Sequence, residues 1–538
     1  MVKTVMNRSG LTLLSLTTLI GGLASTALPT YANHSRVADS VETVILPVLN
    51  AAETNYAVDS QYEFDSSNYE ALSEEPASVP TTTPVDYPAT FDDQEEPQVV
   101  PNLEVEALPT VSPEEIAYSQ GVRHYQNAEF TKAIVQFDAA LATNPDYAEA
   151  YIFRAASYLA LNDPISAMAD YVAATNVRPD YALAYFSKGA LFYQMGEFAS
   201  AQVDFQQATL LEPGYVEAYD FLGLSQAAMG DHESALLSFE KAINLNPVYA
   251  PALAHKGASL IELDEFDAAI SSLSAAIDNS KDFSSAYLNR GVAYYKLGTF
   301  TAALADLNEA LDINSESTEA FFNRSYVYSA LGRPNDALAD INQVLTQEPN
   351  SVEAYMARGS LYNAQGNNSA AIADFNRVIE LDAYSSTAYQ RRARAQLDND
   401  NLTAAIADYD NALALSPINE DIYKGRADAY AIYGNLPAAI SDYSYAIELN
   451  DNNTAAYAAR GRALYESGDP HNAYQDFSQI ISQNPGANAD VYYYRGLSLM
   501  AIGDSYAAQG DLLTAAERYL QEGEADGYRA VLERLRQL

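Results

Sequence analysis

The sequence predicts an all-α solenoid, a stack of helix-turn-helix units. Three observations lead there: similar wording returns every 34 residues, each period divides into two amphipathic helical stretches, and small residues recur at fixed places on both. Residues 287–315, YLNRGVAYYKLGTFTAALADLNEALDINS, are echoed at 321–349 and again at 355–383. With Glu114 as position 1, repeats begin at 114, 148, 182, 216, 250, 284, 318, 352, 386, 420 and 454 without insertion. A twelfth begins one residue late, at Ala489. A chain of 538 residues is too long for one ordinary core, whereas an array needs each unit to touch only its neighbours.

Residues 1–32 read as a secretory signal. Lys3 and Arg8 charge the start, and 11–24, LTLLSLTTLIGGLA, is apolar but too short and Thr-rich to span a bilayer comfortably. Cleavage is expected near Ala27 or Ala32, with an uncleaved anchor as the alternative. The expected location is therefore outside the cytoplasm: periplasmic, cell-envelope or extracellular. No later stretch approaches 18 uninterrupted apolar residues, so no membrane insertion is expected after cleavage.

Residues 33–113 form a predicted disordered, acidic, Pro/Ser/Thr-rich arm. Sixteen Asp/Glu stand against Arg36 alone, a charge of -15, and proline breaks every period. The apolar stretch VETVILPVLNAAETNYAV at 41–58 is either transient structure or a docking peptide.

Residues 114–522 hold the twelve repeats. Position 4 is Tyr in nine of them, position 8 is small, and position 11 is mostly aromatic or Leu, which places all three on one face of a first helix. Gly at position 15 in eight repeats should end that helix in a left-handed cap. Asp, Glu or Asn often follows as the next N-cap, with Pro164, Pro334, Pro437 and Pro470 expected at the first helical position. The second helix carries Ala at position 20 in all twelve repeats and a large apolar residue at 24, such as Phe137, Phe205, Phe375 and Phe477. Small residues let the helices approach, and aromatics at 4, 11 and 24 then fill the seams. Residues 523–538 supply a last helix with Tyr528, Val531, Leu532 and Leu535, expected to cap the array.

A basic residue at position 7 and Asp at 23 travel together in nine repeats, from Arg154/Asp170 to Arg495/Asp511. Ion pairs between first and second helices are expected, within a repeat or to its neighbour.

This pattern resembles the tetratricopeptide repeat family. The resemblance rests on the 34-residue period with aromatic-4, Gly-8, aromatic-11, Ala-20, aromatic-24, Ala-27 and Pro-32, the last matched by Pro145, Pro179, Pro213, Pro247, Pro349, Pro417 and Pro485. It implies a right-handed superhelix of about twelve units whose inner groove is lined by first helices. A softer resemblance, resting on the signal and the capped ending, is to exported bacterial, including cyanobacterial, members. The family binds proteins rather than catalysing reactions.

Enzyme chemistry finds no support. The five histidines fall at unrelated repeat positions, no phosphate loop or nucleophile elbow occurs, and zero cysteine removes thiolate chemistry and disulfides. No catalytic residue, metal site or cofactor is expected. The net charge of -43 opposes nucleic acid and anionic lipid and favours a partner with basic residues around apolar anchors. The leading expectation is an exported scaffold that holds a protein or peptide in its groove, and the alternative is an acidic envelope spacer without a groove ligand. In this family positions 2, 5, 9, 12 and 13 face inward. That implies a candidate groove of Tyr118, Val122, Tyr125, Ile152, Leu159, Phe186 and Tyr193 in repeats one to three, then Leu288, Val292, Tyr295, Phe322 and Tyr326 in repeats six and seven. The clamp by which some members read a C-terminal carboxylate is not matched: the one Lys at position 5, Lys424, shares its repeat with Asp428 at position 9.

Overall fold

The computed structural model describes residues 112–538, which form 25 α-helices. The predicted signal and nearly all of the predicted arm lie outside the described residues. The arm's end is shorter than expected, because Ser112 caps the first helix, Pro113–Gln126, through a reciprocal box with Glu115. The chain divides into two compact bodies, Met1–Leu297 and Gly298–Leu538. The division falls inside repeat six, between its helices Ser284–Lys296 and Phe300–Ile313.

Each repeat is a helical hairpin, as in Val352–Ala364 followed by Asn368–Leu381. Position 15 is left-handed in all twelve repeats. Eight are the glycines, Gly196 to Gly503, and the other four are Ala128, Asn162, Asp264 and Asp400. The turn geometry is thus obligatory and glycine only its cheapest occupant. The N-cap expectation holds in part. Asp163, Asp231, Asn367, Asn435, Asp469 and Asp504 accept from a first-turn N–H, whereas Glu129, Glu197 and Glu265, and also Asn401, do not. The extra methylene of Glu carries its carboxylate past the N–H that Asp reaches. Pro437 also differs from expectation: Leu436 opens that helix, and the proline stands second.

Packing explains the kept residues. Ala at position 20 is fully buried in every repeat, Ala133 to Ala508. Gly at position 8 lies under the residue at position 24 of its own repeat. A Cβ on Gly223 would stand 2.5 Å from Phe239, and one on Gly359 would stand 2.7 Å from Phe375. The close approach requires glycine there. Position 4 tyrosines pack against the apolar clusters as expected, Tyr492 buried and most others half-buried, and several also lie beside the position 7 cation, as Tyr355 does beside Arg358 at 5.4 Å.

The travelling charges form a ladder that joins repeats as well as helices. Arg392 Nε and Nη2 donate to Asp408 at 2.7 and 2.6 Å, and its Nη1 donates to Asn376, position 25 of the preceding repeat, at 2.6 Å. Arg154, Arg324, Arg358, Arg426 and Arg460 repeat the arrangement with Asp138, Asn308, Asn342, Asp410 and Ser444 as the third partner. Burial raises the Asp170 and Asp476 carboxyls above their usual range despite the guanidinium beside each. Lysine takes position 7 where only one acceptor exists. Lys188 bonds Asp204 while Val172 stands at position 25 behind it. Lys256 bonds Glu240 while Ser272, at position 23, gives its hydroxyl to the Leu253 carbonyl. A planar fork is used where two acceptors need it, and a point charge suffices for one. In repeat twelve, one residue out of register, Arg495 keeps both bonds to Asp511, but Ser478 Oγ at position 25 of repeat eleven is buried without a partner.

The last helix, Ala525–Leu535, packs on Ser505–Glu522 through the buried Val531. Among the described residues no helix is long and apolar enough to cross a membrane.

Candidate functional site

First helices supply the inner face, and the twelve candidate residues on it fall into two groups. Tyr125, Ile152, Phe186, Tyr193 and Leu288 are buried and belong to the packing between helices. Phe186, for example, lies 5.0 Å from Tyr215, 5.5 Å from Phe205 and 5.5 Å from Phe221, ring to ring. These five are therefore corrected from groove to core. At these five sites the large side chain at position 5 or 12 is used up against neighbouring helices. Tyr118, Val122, Leu159, Val292, Tyr295, Phe322 and Tyr326 keep part of their surface open. Tyr118 packs edge-on to Phe153 at 5.7 Å, and Phe322 meets Tyr326 edge-on at 5.1 Å. The first three belong to repeats one and two, Val292 and Tyr295 to repeat six, and the last two to the second body. Lys424 is held by Asp428 at 2.9 Å, which occupies the ammonium that a carboxylate clamp would need.

The inner register also carries a polar cluster that the sequence reading passed over. Asp220, position 5 of the helix Val216–Ala228, is fully buried. Its Oδ1 lies 2.7 Å from Nδ1 of the buried His255 on Ala250–Glu262, the first helix of the next repeat. With the carboxylate ionised, the imidazole donates. Repeat four lacks the ladder pair, having Leu222 and Ser238 at positions 7 and 23, so this bond ties it forward instead. Asp220 Oδ2 has no hydrogen-bond partner, and neither do Ser285 Oγ and Asn289 Nδ2 one repeat further on. The signal was present: Asp220 is the only acidic residue at position 5 in any repeat. Among the described residues no group of His, Asp or Glu is arranged to hold a metal ion.

A regular array of helical hairpins with an open inner register is the architecture of a protein-interaction scaffold. Models of the tetratricopeptide repeat match residues 118–182, 216–249, 256–318, 322–386 and 391–454, more than half of the chain. The chain belongs to the tetratricopeptide repeat family, whose members bind protein or peptide partners. No curated protein matches it. Solved structures similar to it include a tetratricopeptide repeat protein from Parabacteroides merdae, 21% identical, covering 46% of this chain and 98% of that one with a TM-score of 0.37. The yeast Tom70 structure is 16% identical, covering 79% and 96% with a TM-score of 0.38. The Cut9–Hcn1 hetero-tetramer structure is 13% identical, covering 79% and 96% with a TM-score of 0.42.

Proposed function

We propose that this protein is an exported, non-catalytic scaffold that holds a protein or peptide partner along the inner face of its first helices. One observation carries the groove reading. Seven apolar or aromatic residues at inward register positions keep open surface on helices whose other faces are locked by Ala-20, position 24 and the ladder. Rigid helices that present partly open aromatics suit a partner that inserts apolar anchors. Export rests on the charged start and short apolar stretch of residues 1–32. The repeats and last helix carry 26 basic and 56 acidic residues, a charge of -30, which favours a partner with basic residues and weakens capture at high salt.

Crosslinking in the native host followed by mass spectrometry would identify the partner and its contact sites. Crosslinks should map to inward positions, and replacing Val122, Leu159, Phe322 and Tyr326 by Ala should reduce capture with helix content unchanged. Capture that survives these four changes, together with sensitivity to array length, would favour the spacer reading instead.

A further inference from the structure

The second helix of repeat twelve departs from the others in three ways at once. It runs Ser505–Glu522, 18 residues, where the second helices of repeats six to eleven have 14 each. It carries large apolar residues where the second body otherwise has polar or small ones. Position 18 is Tyr506 after Thr, Asn, Ser, Thr, Pro and His in repeats six to eleven, and position 25 is Leu513 after Asn, Asn, Asn, Asp, Ser and Ser. The added turn brings Leu520. These three side chains are 90%, 49% and 68% exposed, and seven-residue steps set them in one stripe along the helix. Leu513 also closes the ladder, since Arg529, sixteen residues ahead, bonds Asp526 instead of position 25. The third departure is Gly510, at position 22 between Tyr506 and Leu513 on the same face. Glycine in a helix interior is unfavourable relative to alanine. Nothing within the chain requires it here: its φ is not left-handed, and a Cβ would meet no atom within 4 Å. A notch beside an exposed apolar stripe is accounted for by a surface that packs on it from outside.

We propose that this face pairs, antiparallel, with the same face of a second copy of the chain about a two-fold axis at Leu513. Leu513 then meets Leu513 of the second copy, and Tyr506 meets Leu520 at each end, a self-complementary set as an isologous interface requires. Gly510 lets the two backbones come close beside the axis. Gln509 faces Glu517 of the second copy and donates to its carboxylate, and symmetry makes this bond twice. Charge selects a second copy as the occupant. Two chains of -43 repel each other over most of their surface, but among Tyr506, Gln509, Gly510, Leu513, Glu517 and Leu520 only Glu517 is charged. The two Glu517 carboxylates of the pair are offset by about 12 Å along the helices, beyond a Debye length at physiological salt. A single helix face offers less than the roughly 800 Å² per partner of a standard interface, so the pairing is reversible.

The chain has no cysteine, so Leu513→Cys introduces its only thiol. Mild oxidation of that variant should give a disulfide-linked dimer, because only a residue on the axis meets its own counterpart. Leu237→Cys, also exposed but on repeat four, should stay monomeric under the same treatment. In sedimentation equilibrium the unaltered full chain should pass from monomer to dimer as concentration rises. Leu513→Asp sets two carboxylates on the axis and should raise the dissociation constant about tenfold or more, with helix content unchanged. Gln509→Lys should lower it, since the new ammonium meets Glu517 of the second copy. A full chain that stays monomeric at every concentration overturns the proposal. So does a dimer indifferent to Leu513→Asp, or equal cross-linking of the two cysteine variants. A Leu513→Cys thiol that becomes reactive only after residues 33–113 are removed gives the face to that segment and overturns it. Crosslinks from this helix to a different host protein, without self-association, do the same.

Discussion

The two bodies hold their repeats together by different means. In Met1–Leu297 one apolar cluster runs unbroken from Tyr125 to Phe239, with Phe137, Tyr171, Phe205 and Phe239 at successive position 24 sites. The ladder there is incomplete: repeats one and four lack the pair, and repeats three and five use lysine. In Gly298–Leu538 the apolar core breaks into smaller clusters, such as Ile341, Val344 and Ala354, or Ala427, Ala439, Tyr443 and Ala463. There bidentate Arg–Asp pairs continue from Arg324 to Arg495 without a gap. Cohesion between repeats can thus come from area removed from water or from directed charge-assisted bonds, and the array uses more of one where it has less of the other.

The largest test of that contrast is a core truncation. Phe205→Ala should cost about 3–5 kcal/mol and loosen repeats three and four together, because its ring is shared with Phe186 and Phe221. Hydrogen exchange should show lost protection there and little change in the second body; uniform loss along the chain would deny the division. Breaking the ladder should matter next. Arg324→Gln and Asp340→Asn should each cost about 2 kcal/mol, less than a fully buried pair because the guanidinium keeps some solvent. The double variant should cost less than the sum. Additive losses would mean that the bond contributes nothing of its own.

Alkaline pH should strain the first body more. Burial pushes the Tyr181 and Tyr409 hydroxyls up to about 12 and raises Tyr443 and Tyr519 further in the second body, but it does so to more of them, Tyr118, Tyr125, Tyr171, Tyr215 and Tyr249, in the first. A phenol with a raised folded-state pKa contributes stability that is complete below about pH 10, its unfolded value, and is lost as pH climbs through the folded value. Exchange protection should therefore fall between pH 10 and 12, first before residue 298. Simultaneous loss in both bodies would be the contrary result. The smallest effect concerns caps. Asn367→Ala should lower stability by about 1 kcal/mol, while Glu197→Ala, which removes no cap bond, should leave thermal melting nearly unchanged.

Much of this architecture was legible because a repeat states each rule twelve times. Period, hairpin, Ala-20, Gly-8 over position 24 and the 7/23 pairing all emerge from alignment of the chain with itself. Residues that vary between repeats were harder to place. Inward register alone did not separate Phe186, consumed by its neighbours, from Phe322, because that depends on the side chains of adjoining repeats. Position 25 hid its role since Asp138, Asn308 and Ser444 share no residue type, only an oxygen at the right reach. Asp220 and His255 each occur once at their positions, so self-comparison treats them as noise. The four non-glycine left-handed residues were missed for the same reason: their conformation is imposed by the turn.

The third bond of each arginine, to position 25 of the repeat before, also bears on how such a gene can change in length. Unequal crossover between homologous repeats adds or deletes whole 34-residue periods, and position 25 stays sixteen residues behind each arginine, offering an acceptor wherever its residue carries an oxygen, as Val172 does not. A slip by one codon does not have that property. The junction before Ala489 is such a slip, and it is where Ser478 is left without its arginine. Whole-period changes within the preceding eleven repeats therefore keep the spacing on which the ladder depends, whereas a change across the out-of-phase junction before the last hairpin does not.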